Sequence, residues 1–416
     1  MNLLQKIGNI QIYEKRFQIY PRLQLDISYH DLINSLFSFG HRIEINESLN
    51  SIKSFFPVDK EIVVTFSVRT AFDLLLQSLN FATGSEVLMS AITIKNMIEI
   101  IKINGLIPVS VDISLQLCEP SLEQLEKSVS GKTKVLLITH LFGTVIDLHP
   151  YVEFCQKHNL ILIEDCAQAF AGSEYYGHPQ ADISFFSFGS IKSSTALGGG
   201  VTLIKNQTQN QKIAENIQEL HQQYPQKTEL WFLIRVWKYL LLKTLSIPWV
   251  YYLLLQTLNI LSKDLDSTIN ATTRGFAQGN LLAKIRYRPP HHLVYFIAYR
   301  LTKCEESKCQ DFSDRIETAQ NFLAILQANI KNIIFPGIQA NYHSFWLFPI
   351  IVKQPELLMV KLRSHNFDVT RGTTSLTVCE SPRNSFNYPS LENAKYLMEH
   401  ILFLPISSKV PKIELE

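Results

Sequence analysis

The chain of 416 residues is short of several features that would point at once to a function. Its six cysteines (Cys118, Cys155, Cys166, Cys304, Cys309 and Cys379) form no pair of pairs at metal-ligand spacing. Scattered thiols of this kind are expected to be reduced, in a cytoplasmic setting, and no metal site is expected from Cys304 and Cys309 alone. An excess of charge is also missing. With 39 Lys and Arg against 37 Asp and Glu, the net charge is +2 and no basic block stands out, which removes the electrostatic case for nucleic acid. The N-terminal "MNLLQKIGNIQIYEKRF" has no continuous apolar run of signal-peptide length, so no export is expected. Neither G-x-G-x-x-G nor G-x-x-x-x-G-K-[ST] occurs at the head of a helix, which argues against a dinucleotide fold and a P-loop. Internal repeats and low-complexity tracts are absent.

What is present is a globular composition, 46% apolar and 18% charged, in a chain long enough for two domains. From about 60 to 205, short apolar runs alternate with helix-like stretches. "EIVVTF" (61–66), "EVLM" (86–89), "LIPVSVD" (106–112), "KVLLITH" (134–140), "LILIED" (160–165) and "ISFFSF" (183–188) read as buried strands. "TAFDLLLQSLN", "IKNMIEIIKING" and "HPYVEFCQKHN" read as the intervening helices, two of them closing on Gly or Asn. Repeated βα units imply an α/β fold, a mainly parallel sheet with helices on both faces, whose ligands bind beyond the carboxyl ends of the strands. From about 290 onward the pattern changes to that of a smaller α+β domain. The domain expectation is therefore an N-terminal arm with helices (1–60), a large α/β domain (61–285) and a small C-terminal α+β domain (286–416).

Three strand ends carry chemistry. "TFSVRTAFDLL" places Arg69 and Thr70 where a strand gives way to a helix, a natural anion site, though an N-cap beside a surface arginine is the plainer reading. "LILIEDCAQAF" ends a buried strand on Glu164 and Asp165, followed by Gln168. A buried acid is costly unless it meets a cation or donors, or caps a helix. "ISFFSFGSIKSSTALGGG" ends a strand near Ser187, with Lys192 just beyond and three glycines that let the backbone turn. An acid, a hydroxyl and a lysine at neighbouring strand ends suit pyridoxal phosphate: an amine for its aldehyde, an acid for its ring nitrogen, hydroxyls and N–H groups for its phosphate.

These blocks resemble the DegT/DnrJ/StrS family of PLP-dependent sugar aminotransferases. "THLFG", "EDCAQAF", "FFSFGSIK" with its trailing glycines, and the closing "NAKYLMEHILFLPI" are similar to family blocks in the family's order. The resemblance implies fold type I of the PLP-dependent transferases, with a seven-stranded type of sheet, and a homodimer. It implies that Lys192 forms the Schiff base and moves the proton, and that Asp165 pairs with the ring nitrogen. Gln168 lies beside the ring oxygen, Ser187 binds phosphate, and Arg69 and Thr70 belong to the phosphate loop. A lysine at 192, where family dehydratases carry histidine, implies transamination: an amino acid, with glutamate favoured, gives its amino group to the keto group of a nucleotide-linked sugar. His140 is expected to be structural, His291 and His292 surface loop residues, and the role of His343 is open. Arg371 is a candidate for an anionic substrate group on position alone.

The sequence also departs from the family pattern. "MSAITIKNM" lacks the aromatic residue that covers the ring, leaving Ile94 or Ile92 to do so, and the phosphate loop reads "SVRT" without glycine. Asn280 is the candidate for the asparagine lent to the partner subunit's phosphate. The apolar insert "WFLIRVWKYLLLKTLSIPWVYYLLLQTLNILS" (231–262) is broken by Pro248 and has no charge from Lys243 to Lys263. It reads either as an interfacial hairpin touching a membrane surface, with Arg235, Lys238 and Lys243 as basic anchors, or as a helix pair buried in the dimer or over the site. A cytoplasmic enzyme, peripheral to the membrane in the first case, is the expectation. The rival functions are a PLP enzyme acting on a lipid-linked or natural-product intermediate, and a degenerate, non-catalytic family member.

Overall fold

The computed structural model describes residues 25–56, 59–206, 208–245, 279–307, 310–330, 333–365, 367–372, 375–380 and 390–405, with Ile247, Val250 and Leu253 besides. Most of the second half of the insert, 246–262, lies outside them.

Seven strands form the central sheet: β1 (Lys60–Thr65), β2 (Glu86–Ser90), β4 (Ile107–Val111), β5 (Thr133–Thr139), β7 (Ile161–Asp165), β8 (Ile183–Ser187) and β9 (Gly200–Lys205). Their spatial order is β1-β9-β8-β7-β5-β2-β4, and β9 runs antiparallel to both its neighbours while the other pairs are parallel. The expected mainly parallel α/β sheet is thus present. Each parallel strand is apolar through most of its length because helices cover both faces. Phe185 and Phe186, consecutive on β8, accordingly enter two different cores.

The first βα turn is built by Ser67, whose hydroxyl accepts from the Thr70 N–H and so caps α3 (Val68–Leu79). On the face where Phe186 is buried, α1 (Tyr29–Ser38), α2 (Ile45–Phe55), α8 (Glu229–Leu245) and α10 (His291–Glu306) share one core. Asp31 of α1 is buried there, with Arg300 Nη1 and Lys303 Nζ each 2.5 Å from its carboxylate. Burial alone would raise the Asp31 carboxyl; the Arg300 charge and the Lys303 hydrogen bond outweigh it and hold the pKa at about 2. The pair His291–His292, read as surface loop, instead opens α10. His292 is largely buried, stacked on Phe39 at 3.9 Å between ring centroids and 2.9 Å from Glu229.

The C-terminal part adds α11 (Gln310–Asn329), α12 (Pro355–Ser364) and the antiparallel pair β11 (Phe348–Ile351) and β13 (Ile401–Leu404) around a core of its own, while α13 (Glu392–His400) packs in a core that also holds Ile92 and Phe142. It joins the large sheet through two ribbons. β12 (Leu376–Val378) pairs with β3 (Ile92–Ile94), and β10 (Tyr342–His343) pairs with β6 (Thr144–Val145).

Candidate active site

The β10–β6 ribbon decides what lies above the lysine loop. The Ser344 N–H donates to Gly143 O at 2.7 Å, and the Leu347 N–H to Phe142 O at 3.0 Å. Gly143 makes this approach possible. It has φ +110°, and a Cβ there would lie 2.6 Å from Ser344 Oγ and 2.7 Å from Trp346 N. Trp346 is thereby carried to the loop after β8, where its Nε1–H donates to Ile191 O at 2.9 Å. The Lys192 ammonium sits 4.0 Å from the centroid of the Trp346 ring.

Other long-range contacts fix the same loop. The Ser194 N–H donates to Asp26 at 2.7 Å, and Arg315 of α11 spans Ser344 O (3.0 Å) and Ser193 Oγ (3.3 Å). Arg235 of α8 donates from Nε to Leu197 O. The basic anchor expected at Arg235 therefore points into the protein. The three glycines do more than turn the chain. Gly199 has φ +86°, whereas at Gly200 a Cβ would lie 2.8 Å from Val68 N, so β9 passes directly beneath the start of α3.

Asp165 ends β7, and Lys192 lies in the loop after β8, the parallel strand beside it. Asp165 is 6% exposed and accepts from the Ala167 N–H at 3.0 Å. Burial raises its carboxyl pKa, opposed by that hydrogen bond and by the charges of Lys192, His140 and Arg69. Burial likewise depresses the Lys192 amine to about 7, with Asp165 acting against the shift and Arg69 with it. The Arg69 guanidinium is lowered to about 10 by burial, again opposed by Asp165. Its Nε–H donates to Asn96 at 3.0 Å. One carboxylate, one amine and one guanidinium thus share a single electrostatic environment. Such a donor set fits pyridoxal phosphate, whose ring nitrogen is basic, whose aldehyde is electrophilic and whose phosphate is anionic.

The remaining expected residues take more local places. Ser187, half-buried at the end of β8, accepts from the Gly189 N–H at 3.4 Å and stays at the mouth of the lysine loop. The fully buried Thr70 donates to Ile285 O at 2.7 Å, which turns its hydroxyl inward to fix the start of α3. Gln168 accepts from the Phe142 N–H at 3.0 Å, so it braces the loop that carries Gly143. Ile94, half-buried, ends β3 opposite Leu376, while Ile92 is fully buried. Asn280 lies two residues before the short α9 (Leu282–Ile285), and its side chain accepts from the Ala283 N–H at 3.2 Å. Arg371 pairs with Glu356 at 2.6 Å and donates to Met398 O and Glu399 O, which ties down the end of α13.

Both ring nitrogens of His140 have partners within the protein. Its Nδ1 accepts from the Ile146 N–H at 3.1 Å, and Nε2 faces Glu164 at 2.8 Å. Glu164 also receives Tyr175 Oη, the His178 N–H and Ser184 Oγ. Burial would raise the Glu164 carboxyl, yet the hydrogen bond and charge of His140 and the other donors hold it at about 2. His140, Glu164 and Cys166 lie close enough to hold a metal ion, but both histidine nitrogens are engaged and the Cys166 thiol is pushed far up by burial. Sequence reasoning missed Trp346 and Arg315. The tryptophan in "SFWLFPI" is the only local sign of the first.

A family model described as the DegT/DnrJ/EryC1/StrS aminotransferase family matches residues 50–231. Over that stretch, somewhat under half of its length, the chain is similar to this family. A GDP-perosamine synthase of Escherichia coli O157:H7 is 35% identical over 141 residues, 33% of this chain and 38% of that one. A UDP-N-acetyl-3-dehydro-alpha-D-glucosamine 3-aminotransferase of Acidithiobacillus ferrooxidans is 32% identical over 133 residues, 31% and 36% of the two chains. The matched stretch is therefore under two fifths of the length of either relative. The crystal structure of NtdA from Bacillus subtilis, with bound cofactor PMP, superposes with a TM-score of 0.69 at 18% identity, covering 96% of this chain and 84% of that one. At that identity the likeness is one of fold, and the fold is type I of the PLP-dependent transferases.

Proposed function

We propose that this protein is a PLP-dependent aminotransferase that moves an amino group from an amino acid, with glutamate favoured, to the keto group of a nucleotide-linked sugar. The observation that carries the reading is Lys192, with its amine depressed to about 7, in the field of the buried Asp165 and Arg69. The names of the two curated relatives support the substrate class.

When bound, pyridoxal phosphate supplies an aldehyde that condenses with amines and a ring that draws electrons from the adjacent bond. Asp165 would hold the ring nitrogen, and Ile94 would cover one ring face. Ser187, Arg69 and the first N–H groups of α3, set in place by Thr70, would hold the phosphate. Lys192 provides an amine that is about half neutral near pH 7, so that its neutral form can bond or take up a proton at Nζ. Trp346 keeps that amine over its ring and, with Phe142 and Gly143 behind it, excludes water from one side. Gln168 acts through Phe142, as a positioning residue. A large unit over 61–285 completed by α1, α2 and α10, a smaller C-terminal unit, a homodimer and a cytoplasmic place at the membrane periphery belong to the same reading.

The test is the visible absorption spectrum of the purified protein with added pyridoxal phosphate. The wild type is expected to show a band that glutamate bleaches and that Lys192→Ala lacks. Equal spectra for the two proteins would overturn the reading.

A further inference from the structure

The helix α8 has two apolar faces, and only one is covered. Phe232, Val236 and Tyr239 enter the core. On the other side Leu230, Ile234, Trp237 and Leu241 recur at intervals of four, three and four residues, between 57% and 62% exposed. The neighbouring α1 lies antiparallel to it: the Tyr29 hydroxyl reaches Thr244 at the far end of α8, while Phe39 approaches Phe232 near its start. On α1, Ile33 and Phe37 are 44% and 73% exposed, one helical turn apart. Two parallel ridges of large apolar side chains therefore face outward together. A monomeric protein rarely leaves so many adjacent side chains of this size uncovered.

The charges on these helices are sorted. Each has a single acid. Asp31 is buried against Arg300 and Lys303, and Glu229 is taken up by His292 and the N–H groups of α10. Arg235 points inward, which leaves the lysines as the charged groups flanking the ridges: Lys238 exposed, and Lys243 with its ammonium 5.3 Å from the Tyr29 ring centroid. Aromatic and aliphatic side chains, a lysine rim and no outward acid are the attributes of a surface that rests in a lipid headgroup layer. Among the described residues no helix is long and apolar enough to cross a membrane, so the ridges would lie along the surface. Beyond α8 the sequence stays uncharged as far as Lys263, so the apolar composition continues along the chain.

We infer that the outward face of α1 and α8 is a docking surface for an anionic bilayer, with the apolar ridges seated among the acyl chains and Lys238 and Lys243 against the headgroup charge. The inference deepens the peripheral location proposed above and is independent of the transamination chemistry. It is tested by flotation of the full chain with vesicles of phosphatidylcholine alone and of phosphatidylcholine with phosphatidylglycerol, at low and high salt. The wild type is expected to float with the anionic vesicles and to be released by salt. Ile234→Ser with Trp237→Ser should weaken partitioning about tenfold. Lys238→Gln and Lys243→Gln should each weaken it roughly fivefold and flatten the salt dependence. Circular dichroism and the pyridoxal phosphate band, read on every variant, separate a misfolded protein or a failed aminotransferase reading from a failed surface. Absence of flotation in the wild type, or flotation indifferent to all four substitutions, overturns the inference. So does light scattering in which Ile234→Ser with Trp237→Ser splits an assembly while no protein floats, because the face would then join two copies of the chain.

Discussion

At the scale of single residues, the Lys192 amine lies against the Trp346 ring. The amine is depressed from its ordinary value to about 7 because burial disfavours its charge. In the unfolded chain it titrates near 10.4. Between those two values the unfolded state binds the extra proton, so this group makes folding more favourable as pH rises through that window and less favourable below it. Covalent labelling of Lys192 by an amine-selective reagent should accordingly reach half its maximum near pH 7, followed by peptide mass mapping. The Trp346 ring stabilises the charged form. Trp346→Leu is expected to move that labelling midpoint lower by roughly one pH unit. Trp346→Phe keeps an aromatic face but loses the bond to Ile191 O, so its midpoint should move less. A midpoint unmoved by Trp346→Leu would dismiss the ring as a positioning group. Glu164 belongs to the opposite class, a carboxylate that supports the frame. Its contribution is present above its ordinary range and is lost as pH falls toward about 2. Glu164→Gln should cost roughly 2–4 kcal/mol in a denaturant titration near neutrality, since several donors then face a neutral amide.

At the scale of elements, much was legible and the reasons for the rest are physical. The six strands read from the sequence all exist, because strands buried on both faces carry uninterrupted apolar runs. β9 went unread: it begins on the glycine run, and its antiparallel direction depends on its two neighbours. The expected positions of Lys192, Asp165 and Ser187 at strand ends followed from periodicity alone. The inward turn of Thr70 did not, because its partner is Ile285, far along the chain. Trp346 and Arg315 escaped for the same reason. Nothing local in "SFWLFPI" or "FSDRIETAQ" says that a tryptophan and an arginine will meet the lysine loop. The Gly143 hinge can be tested directly. Gly143→Ala places a methyl group where Ser344 and Trp346 now lie, in a backbone conformation that disfavours side chains. It should destabilise the protein by about 2 kcal/mol or more and shift the emission of Trp346, read against a Trp346→Phe control.

At the scale of the whole molecule, the arrangement separates a frame from a site. The sheet and its helices are held by three apolar cores and by buried ion pairs such as Asp31 with Arg300. The lysine loop is held by hydrogen bonds from distant parts of the chain, among them those at Asp26, Arg235, Arg315 and Trp346. Loss of one such tether should therefore impair the site more than the frame. Arg315→Met is expected to keep the melting transition within a few degrees while lowering the affinity for pyridoxal phosphate, measured by titrating the absorption band.

The tethers also bear on how the protein is made. Every strand of the central sheet has left the ribosome once residue 205 has emerged, and that sheet can begin to close while synthesis continues. Trp346 and Arg315 arrive much later, so for a long interval of synthesis the nascent chain holds Lys192 in a loop that lacks its cover. A chain arrested before residue 310 would present that lysine bare, with its reactivity not yet shaped by the C-terminal part. The order of synthesis thus gives the protein an immature form in which the sheet precedes the chemistry.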